Sequence, residues 1–372
     1  MIYIHVPFCR SFCTYCGFYS EVVSSNCNAK AQQEDTFKRY VEDLCQEIRD
    51  REKEIRVSLQ SGVDTLYFGG GTPSVLPVEA FQRIMDCLAS VGACPPFEEF
   101  TVEMNPEDVI DKGDDYILSL KNLGMNRVSM GVQSFDDSML KWMNRRHSSD
   151  GAIKAVSILR RCGIENISLD LIFGISHLSD ECWTASINKA LELLPEHISA
   201  YQLSVEDGSA LAKLIDRCQY SEADDELCQR QYSILCNKLK DNGYSHYEVS
   251  NFSRPGKHAR HNSAYWKRVP YVGLGPGAHS FDGKLRSWNS EYKSGWKRDF
   301  EILSDEDVTI ETIMLALRTA EGIDRNYLEK KCDPRSLAYL MQAEELTENI
   351  DGKIRIPEDK FFISDAIIRD LI

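Results

Sequence analysis

A partial β/α barrel of about six units, followed by a smaller, mostly helical module, is the α/β fold that the sequence predicts. Three observations predict it. Short β-like runs alternate with amphipathic stretches over the first 245 residues. Such alternation implies parallel strands joined by right-handed crossovers. Six units then suit a partial barrel of the TIM type better than a closed eightfold one, with an open doubly wound sheet as the structural rival. Beyond residue 245 the rhythm stops and the composition changes.

The elements follow in chain order. Ile2–Val6 reads as a strand, and a cysteine-bearing loop follows it. Phe37, Tyr40, Val41, Leu44 and Ile48 recur at helical spacing and give a helix with one apolar face. Residues 64–68 (DTLYF) are the second strand, GGGTPS the next loop, and Phe81, Ile84, Met85 and Leu88 the face of the next helix. The third strand, 100–104, leads through Asn105-Pro106 into a helix around 116–123. Residues 126–132 precede a helix ending near Met143. A helix with Ala155, Ile158 and Leu159 enters a strand at 165–173, and one over 182–194 enters a strand at 197–205. The barrel is thus expected at 1–245. Residues 246–300, rich in aromatics and turn residues and crowding His246, His258, His261 and His279, are expected to complete its core. Residues 301–372 read as a winged-helix-like module. Ile310, Ile313, Met314 and Leu317 form one stripe, DGK at 351–353 signals a hairpin turn, and FFISDAIIRDLI closes the chain as a helix.

Charge and cysteine usage narrow the function classes. The 372 residues hold 43 Lys+Arg against 58 Asp+Glu, a formal net charge of −15, with 42% hydrophobic residues. No basic block interrupts the acidity, which argues against a nucleic-acid partner because phosphates need clustered cations. The run from Arg254 to Arg260, with Lys257 and His258, reads as a solvated loop. MIYIHVPFC lacks the charged start and apolar core of a signal peptide, and no run nears the roughly 18 apolar residues of a membrane span. A cytoplasmic protein is expected. Thirteen scattered cysteines do not suggest a secreted disulfide scaffold. Ten of them (Cys27, Cys45, Cys87, Cys94, Cys162, Cys182, Cys218, Cys228, Cys236 and Cys332) show no ligand spacing and read as small hydrophobes or inert thiols.

The other three form a constellation. Cys9, Cys13 and Cys16 stand as C-x3-C-x2-C on one loop. Three thiolates so close suit a thiophilic metal site. Zinc draws on paired C-x2-C units and four ligands, and no second pair is evident. A 4Fe-4S cluster held by three thiolates keeps one iron open for a substrate or second cofactor. GLGPGA at 273–278 fits a dinucleotide-binding pattern, but no helical pattern follows to receive a pyrophosphate.

C-x3-C-x2-C after an N-terminal strand resembles the radical S-adenosylmethionine (SAM) superfamily. YIHVPFC, YFGGGTPS, EMNPE, RVSMGVQSF, DLIFG, YEVSNFSRPG and RHNSAYW, in that order over residues 1 to about 290, resemble one branch of it. That branch comprises the oxygen-independent coproporphyrinogen III oxidases and the HemW heme chaperones. The resemblance implies that the cluster sits on Cys9, Cys13 and Cys16 and chelates SAM. It implies that Tyr3, Tyr15, Gly70, Gly71, Thr72, Glu103, Gln133, Arg145, Asp170 and Ser204 border that cofactor. The spacing of the strands supports it independently. The cysteine loop, Gly70–Thr72, Glu103, Gln133, Asp170 and Ser204 come from six successive units, each at or beyond the C-terminal end of its strand, where β/α barrels build sites.

Within the branch, an oxidase would use SAM to generate a radical and decarboxylate porphyrinogen propionates. A chaperone would bind heme and pass it to an apo-hemoprotein. Three features favour the chaperone. The oxidase pattern has a further cysteine where this chain has Phe18. Oxidases carry a segment ahead of the first strand, whereas only Met1 and Ile2 precede Tyr3 here. RHNSAYW contains the H-N-x-x-Y-W motif of the chaperone branch, which makes His261, Tyr265 and Trp266 heme candidates, with His5, His246 and His279 weaker ones. One departure stands out: Gly17 replaces an Asp common in that branch. The expectation is a heme chaperone, dimeric or peripherally membrane-associated when it delivers heme. The enzymatic alternative is a coproporphyrinogen oxidase. A radical SAM RNA modifier is disfavoured by the charge.

Overall fold

Six parallel strands carry the predicted alternation, and their two faces divide by polarity. They are β1 (Ile2–Val6), β2 (Thr65–Gly70), β3 (Glu99–Met104), β4 (Arg127–Gln133), β5 (Asn166–Phe173) and β6 (His197–Gln202). In β4, Val128, Met130 and Val132 are fully buried on one face, while Arg127, Ser129, Gly131 and Gln133 occupy the other. The same period of two puts Phe100, Val102 and Met104 opposite Thr101 and Glu103, and Ile167, Leu169 and Leu171 opposite Ser168 and Asp170. The apolar face packs beneath the crossover helices. The polar face lines the concave side of the curled sheet. This computed structural model describes residues 1–23, 30–292 and 295–372, so Cys27, read above as inert, lies outside the described residues.

The crossovers are α1 (Lys30–Asp50) and α2 (Glu52–Ser58), α3 (Val78–Ser90), α4 (Pro106–Asn122), α5 (Asp137–Trp142) and α6 (Ser149–Arg161), and α7 (Asp180–Glu192). After β6 come α8 (Ala210–Asp216) and α9 (Asp225–Asp241). Local chemistry fixes their starts. Asp136, Ser148, Ser179, Ser209 and Asp224 each accept a backbone N–H of the following first turn. The helix expected around 116–123 begins earlier, at Pro106, and is broken at Gly113 (φ 68°).

Residues beyond 245 extend the sheet at both edges. β7 (Ser245–Glu248) and β8 (Asn251–Ser253) form an antiparallel ribbon on β6. After α10 (Arg260–Trp266), β9 (Val272–Leu274) pairs parallel with β1. The order is β9-β1-β2-β3-β4-β5-β6-β8-β7, nine strands whose end strands do not pair, so the barrel is open. The decoy GLGPGA is β9 and a turn; the strand β10 (His279–Phe281), not a helix, follows.

β10, β11 (Leu285–Asn289) and β12 (Arg298–Ile302) form a second, antiparallel sheet. The C-terminal residues contribute α11 (Asp305–Leu317), α12 (Arg325–Lys331), α13 (Pro334–Gln342) and α14 (Ser364–Leu371). They also contribute a small antiparallel sheet of β13 (Ile323–Asp324), β14 (Thr347–Glu348) and β15 (Lys353–Arg355), so this part is not purely helical. DGK forms the β14–β15 turn, with Gly352 at φ 73°. Ile313, Leu317, Leu328, Phe361 and Leu371 belong to the same apolar cluster that underlies the barrel strands. Among the described residues no helix is long and apolar enough to cross a membrane.

Candidate functional site

A cavity of about 560 Å³ opens at the C-terminal ends of the barrel strands. Cys9, Cys13 and Cys16 line it, as do Tyr15, Gly70, Gly71 and Thr72. Glu103, Gln133, Arg145, Asp170 and Ser204 complete the predicted set there. Of the residues expected around the cofactor, only Tyr3 is not part of the lining. It stands behind, its hydroxyl 3.0 Å from His5 Nδ1, while His5 Nε2 lies 3.0 Å from the Tyr19 carbonyl. Tyr67, one strand across, takes the lining position and donates to Glu103 at 2.6 Å.

The glycine loop closes on the cysteine loop because no side chain intervenes. Gly71 N–H donates to the Val6 carbonyl, and a Cβ there would lie 2.7 Å from the Phe8 carbonyl oxygen. Gly70 sits at φ 105° directly over the His5 ring. Thr72 then reaches Cys9 Sγ at 3.5 Å. Asn105 donates to Thr72 Oγ1 at 3.2 Å and accepts from Arg145 Nη2 at 2.6 Å, while Arg145 Nη1 lies 3.3 Å from Cys13 Sγ. The chain of contacts Cys9–Thr72–Asn105–Arg145–Cys13 thus ties two thiols to the ends of β2 and β3 and to the loop after α5. Arg145 also donates to the Gly131 carbonyl at 2.6 Å, and its Nε is buried without a partner among the described residues.

Electrostatics set the state of these groups. Burial, with the neighbouring thiols adding to it, raises Cys9 and pushes Cys16 up to about 11. Cys9 and Cys16 therefore keep their protons in the ligand-free protein and would release them to solvent on binding a metal group. Among the described residues no three His, Cys, Asp or Glu side chains converge closely enough to hold a single ion. Three such thiols on one loop, none in a disulfide, fit a larger thiolate-ligated group better than mononuclear zinc. Burial pushes Glu103 up to about 7 and Asp170 up to about 6, with mutual repulsion adding to the first. Ser129 donates to Asp170 at 3.3 Å. Two carboxyls near neutrality on one wall and a guanidinium on the other can accept hydroxyls and bind a carboxylate.

Backbone irregularity aims further groups. The β4–β5 register shifts between Gly131 and Gln133, and Gln133 takes φ 68°, unusual for a non-glycine residue. Ser204 lies just past β6, exposed at the rim, and donates to Glu206 at 2.9 Å. Glu206 explains Gly17: a Cβ at 17 would lie 2.6 Å from Glu206 Cβ.

The H-N-x-x-Y-W helix lies at the other end of the barrel. His261 is 1% exposed, its Nδ1 2.8 Å from Thr65 Oγ1 and its Nε2 3.0 Å from the Tyr265 hydroxyl. Glu99, at the start of β3, accepts the N–H groups of Arg260 and His261 at 2.8 and 3.0 Å. α10 therefore stops the N-terminal mouth of the barrel. His261, Tyr265 and Trp266 do not line the cavity; Asn262 of the same motif does. The weaker histidines also lie elsewhere. His5 sits under Gly70, His246 packs between Phe252 and Phe361, and His279 stacks on Trp288. Asn105, Glu107 and Asn262 are lining residues that the sequence reading passed over. The Asn-Pro step after β3 was the available signal for Asn105.

Known proteins resemble this chain in sequence and in fold. A profile of the radical SAM superfamily matches residues 3–190. The chain is 33% identical over 336 residues to the heme chaperone HemW of Synechocystis sp., covering 86% of this chain and 78% of that protein. It is 32% identical to the heme chaperone HemW of Bacillus subtilis, covering 88% and 86%. Among solved structures, coproporphyrinogen III oxidase (HemN) from Escherichia coli, described as a radical SAM enzyme, superposes with a TM-score of 0.78 at 20% identity, over 99% of this chain and 89% of that one.

Proposed function

Since the chain belongs to the radical SAM superfamily and, within it, to the family of the HemW heme chaperones, we propose that it binds heme and hands it to apo-hemoproteins. Membership implies a 4Fe-4S cluster and SAM. On this reading Cys9, Cys13 and Cys16 hold the cluster, and the cavity holds SAM. When bound, the cluster would supply Lewis-acidic iron to anchor SAM. The residues do the rest. Arg145 places a positive charge beside Cys13 and offsets thiolate charge. Glu103 and Asp170 offer acceptors to ribose hydroxyls. Gly70 and Gly71 let backbone approach the ligand.

One observation carries the chaperone reading over the oxidase reading: Phe18, lining the cavity and 73% exposed, stands where the oxidase pattern has a cysteine. An apolar ring there suits capture of a finished macrocycle and removes a thiol from the cofactor's surroundings. Heme, a hemoprotein acceptor and a cytoplasmic site of action form one proposal, with dimerisation or peripheral membrane contact accompanying transfer. The test is anaerobic titration of the cluster-loaded protein with hemin, followed by transfer to an apo-cytochrome. Saturable binding and transfer are expected, without conversion of coproporphyrinogen III under reducing conditions with SAM. Turnover of that porphyrinogen without stable heme binding would instead establish the oxidase.

A further inference from the structure

We infer that heme docks on the rim of the cavity, flat against Phe12 and Phe18 of the cysteine loop, with its propionates toward Arg10 and Arg146. This rests on the heme reading above and deepens it by naming the surface. Phe12 is 55% exposed and Phe18 73% exposed, and both line the cavity. Single exposed apolar side chains need no explanation. Two on one short loop, bordering one opening, form an apolar ledge, which Tyr201, 43% exposed and on the same lining, continues across the mouth.

Cavity size argues for the rim rather than the interior. About 560 Å³ is room for one drug-sized ligand, and the deep wall of carboxyls, amides and Arg145 suits a polar one. A planar macrocycle with apolar faces fits the ledge instead. Its two carboxylates need cations, and the rim has two. Arg146 is exposed and makes no side-chain hydrogen bond or ion pair among the described residues. Arg10 donates only its Nε, to Asp108 at 3.1 Å, which leaves its two terminal nitrogens unpaired among the described residues. A ring face on phenylalanine and an edge on guanidinium is how proteins hold amphipathic planar acids.

The experiment titrates cluster-loaded protein with hemin, at iron and sulfide contents matched across variants. Phe12→Ser and Phe18→Ser should each weaken binding about tenfold, the expected loss of one phenyl contact. Phe18→Trp should hold or tighten it. Phe300→Ser, which removes an equally exposed ring (68%) on β12 away from the cavity, should leave it unchanged. Arg146→Glu should weaken hemin but not its dimethyl ester. Wild-type binding that no rim variant weakens would overturn the rim site and leave the chaperone reading standing. Equal losses in Phe300→Ser and the rim variants would mean adsorption, which also overturns the site. No saturable binding by the wild type would overturn the heme reading itself.

Discussion

The two ends of the barrel use similar residues to opposite ends. At the N-terminal mouth, polar groups are spent on one another: Glu99 caps α10, His261 bridges Thr65 and Tyr265, and His197 bridges Ser168 and Tyr247. At the C-terminal mouth, Glu103, Asp170, Gln133 and Arg145 border open space. Burial of a histidine or carboxylate therefore says little about function; whether its partners lie in the protein or in a cavity says more. Arg127 lies between the ends, 1% exposed, with one long contact to Thr101 and its Nε unpaired among the described residues. Its charge lowers the pKa of Glu103 and of Asp170, opposing the effect of burial.

The sharpest test of that contrast is to remove one group from each end. Cys16→Ala should reduce the iron bound after anaerobic reconstitution to near background, with the fold intact by circular dichroism. Glu99→Ala should do the reverse. It strips one buried and one part-buried N–H group of their acceptor and should cost about 2 kcal/mol in denaturant unfolding, while reconstituted iron stays at the wild-type level. Iron loss in Glu99→Ala equal to that in Cys16→Ala would show that the two ends are not separable.

Gly17→Asp probes the cavity end by overpacking. The new side chain meets Glu206 Cβ, so a loss of about 2 kcal/mol is expected, recovered largely in the double variant with Glu206→Gly, which removes that Cβ. Additive effects would break the proposed contact. The smallest effect is a pH slope. Glu103, raised to about 7 by burial, binds more protons folded than unfolded between its ordinary value of 4.5 and 7. Its contribution to the ligand-free protein is complete below pH 4.5 and is lost as pH rises through about 7. Glu103→Gln should flatten that decline by on the order of 1 kcal/mol, measured as unfolding free energy at pH 5 and 7.5.

Much of this was legible in the chain. Each barrel strand announces itself by a period of two, and the polar members near its C-terminal end are the ones that meet in the cavity. β7, β8 and β9 were not legible as strands, because three or four residues among aromatics and turns carry no period. The placement of His261 was hidden for a different reason. A motif names residues but not the end of the barrel they close, and that depends on Glu99, 162 positions away. Tyr67 takes the lining place expected of Tyr3 because both point to the concave face, with ring centroids 6.0 Å apart, and pattern cannot rank depth.

The pairing of β9 with β1 has a consequence for the timing of synthesis. Ile2, Tyr3 and Ile4 find their outer neighbours only in Val272, Gly273 and Leu274, and Arg51 also waits for the Gly273 carbonyl and the Ser280 hydroxyl. At roughly 5–20 residues per second, the leading strand spends on the order of tens of seconds with one edge bare. Cys9, Cys13 and Cys16 hang from that unfinished edge, and Arg145 reaches Cys13 only after the chain has grown far past it. The chain must therefore grow past Leu274 before the cysteine loop acquires a fixed shape, and on the proposed reading the cluster would be inserted only after that point.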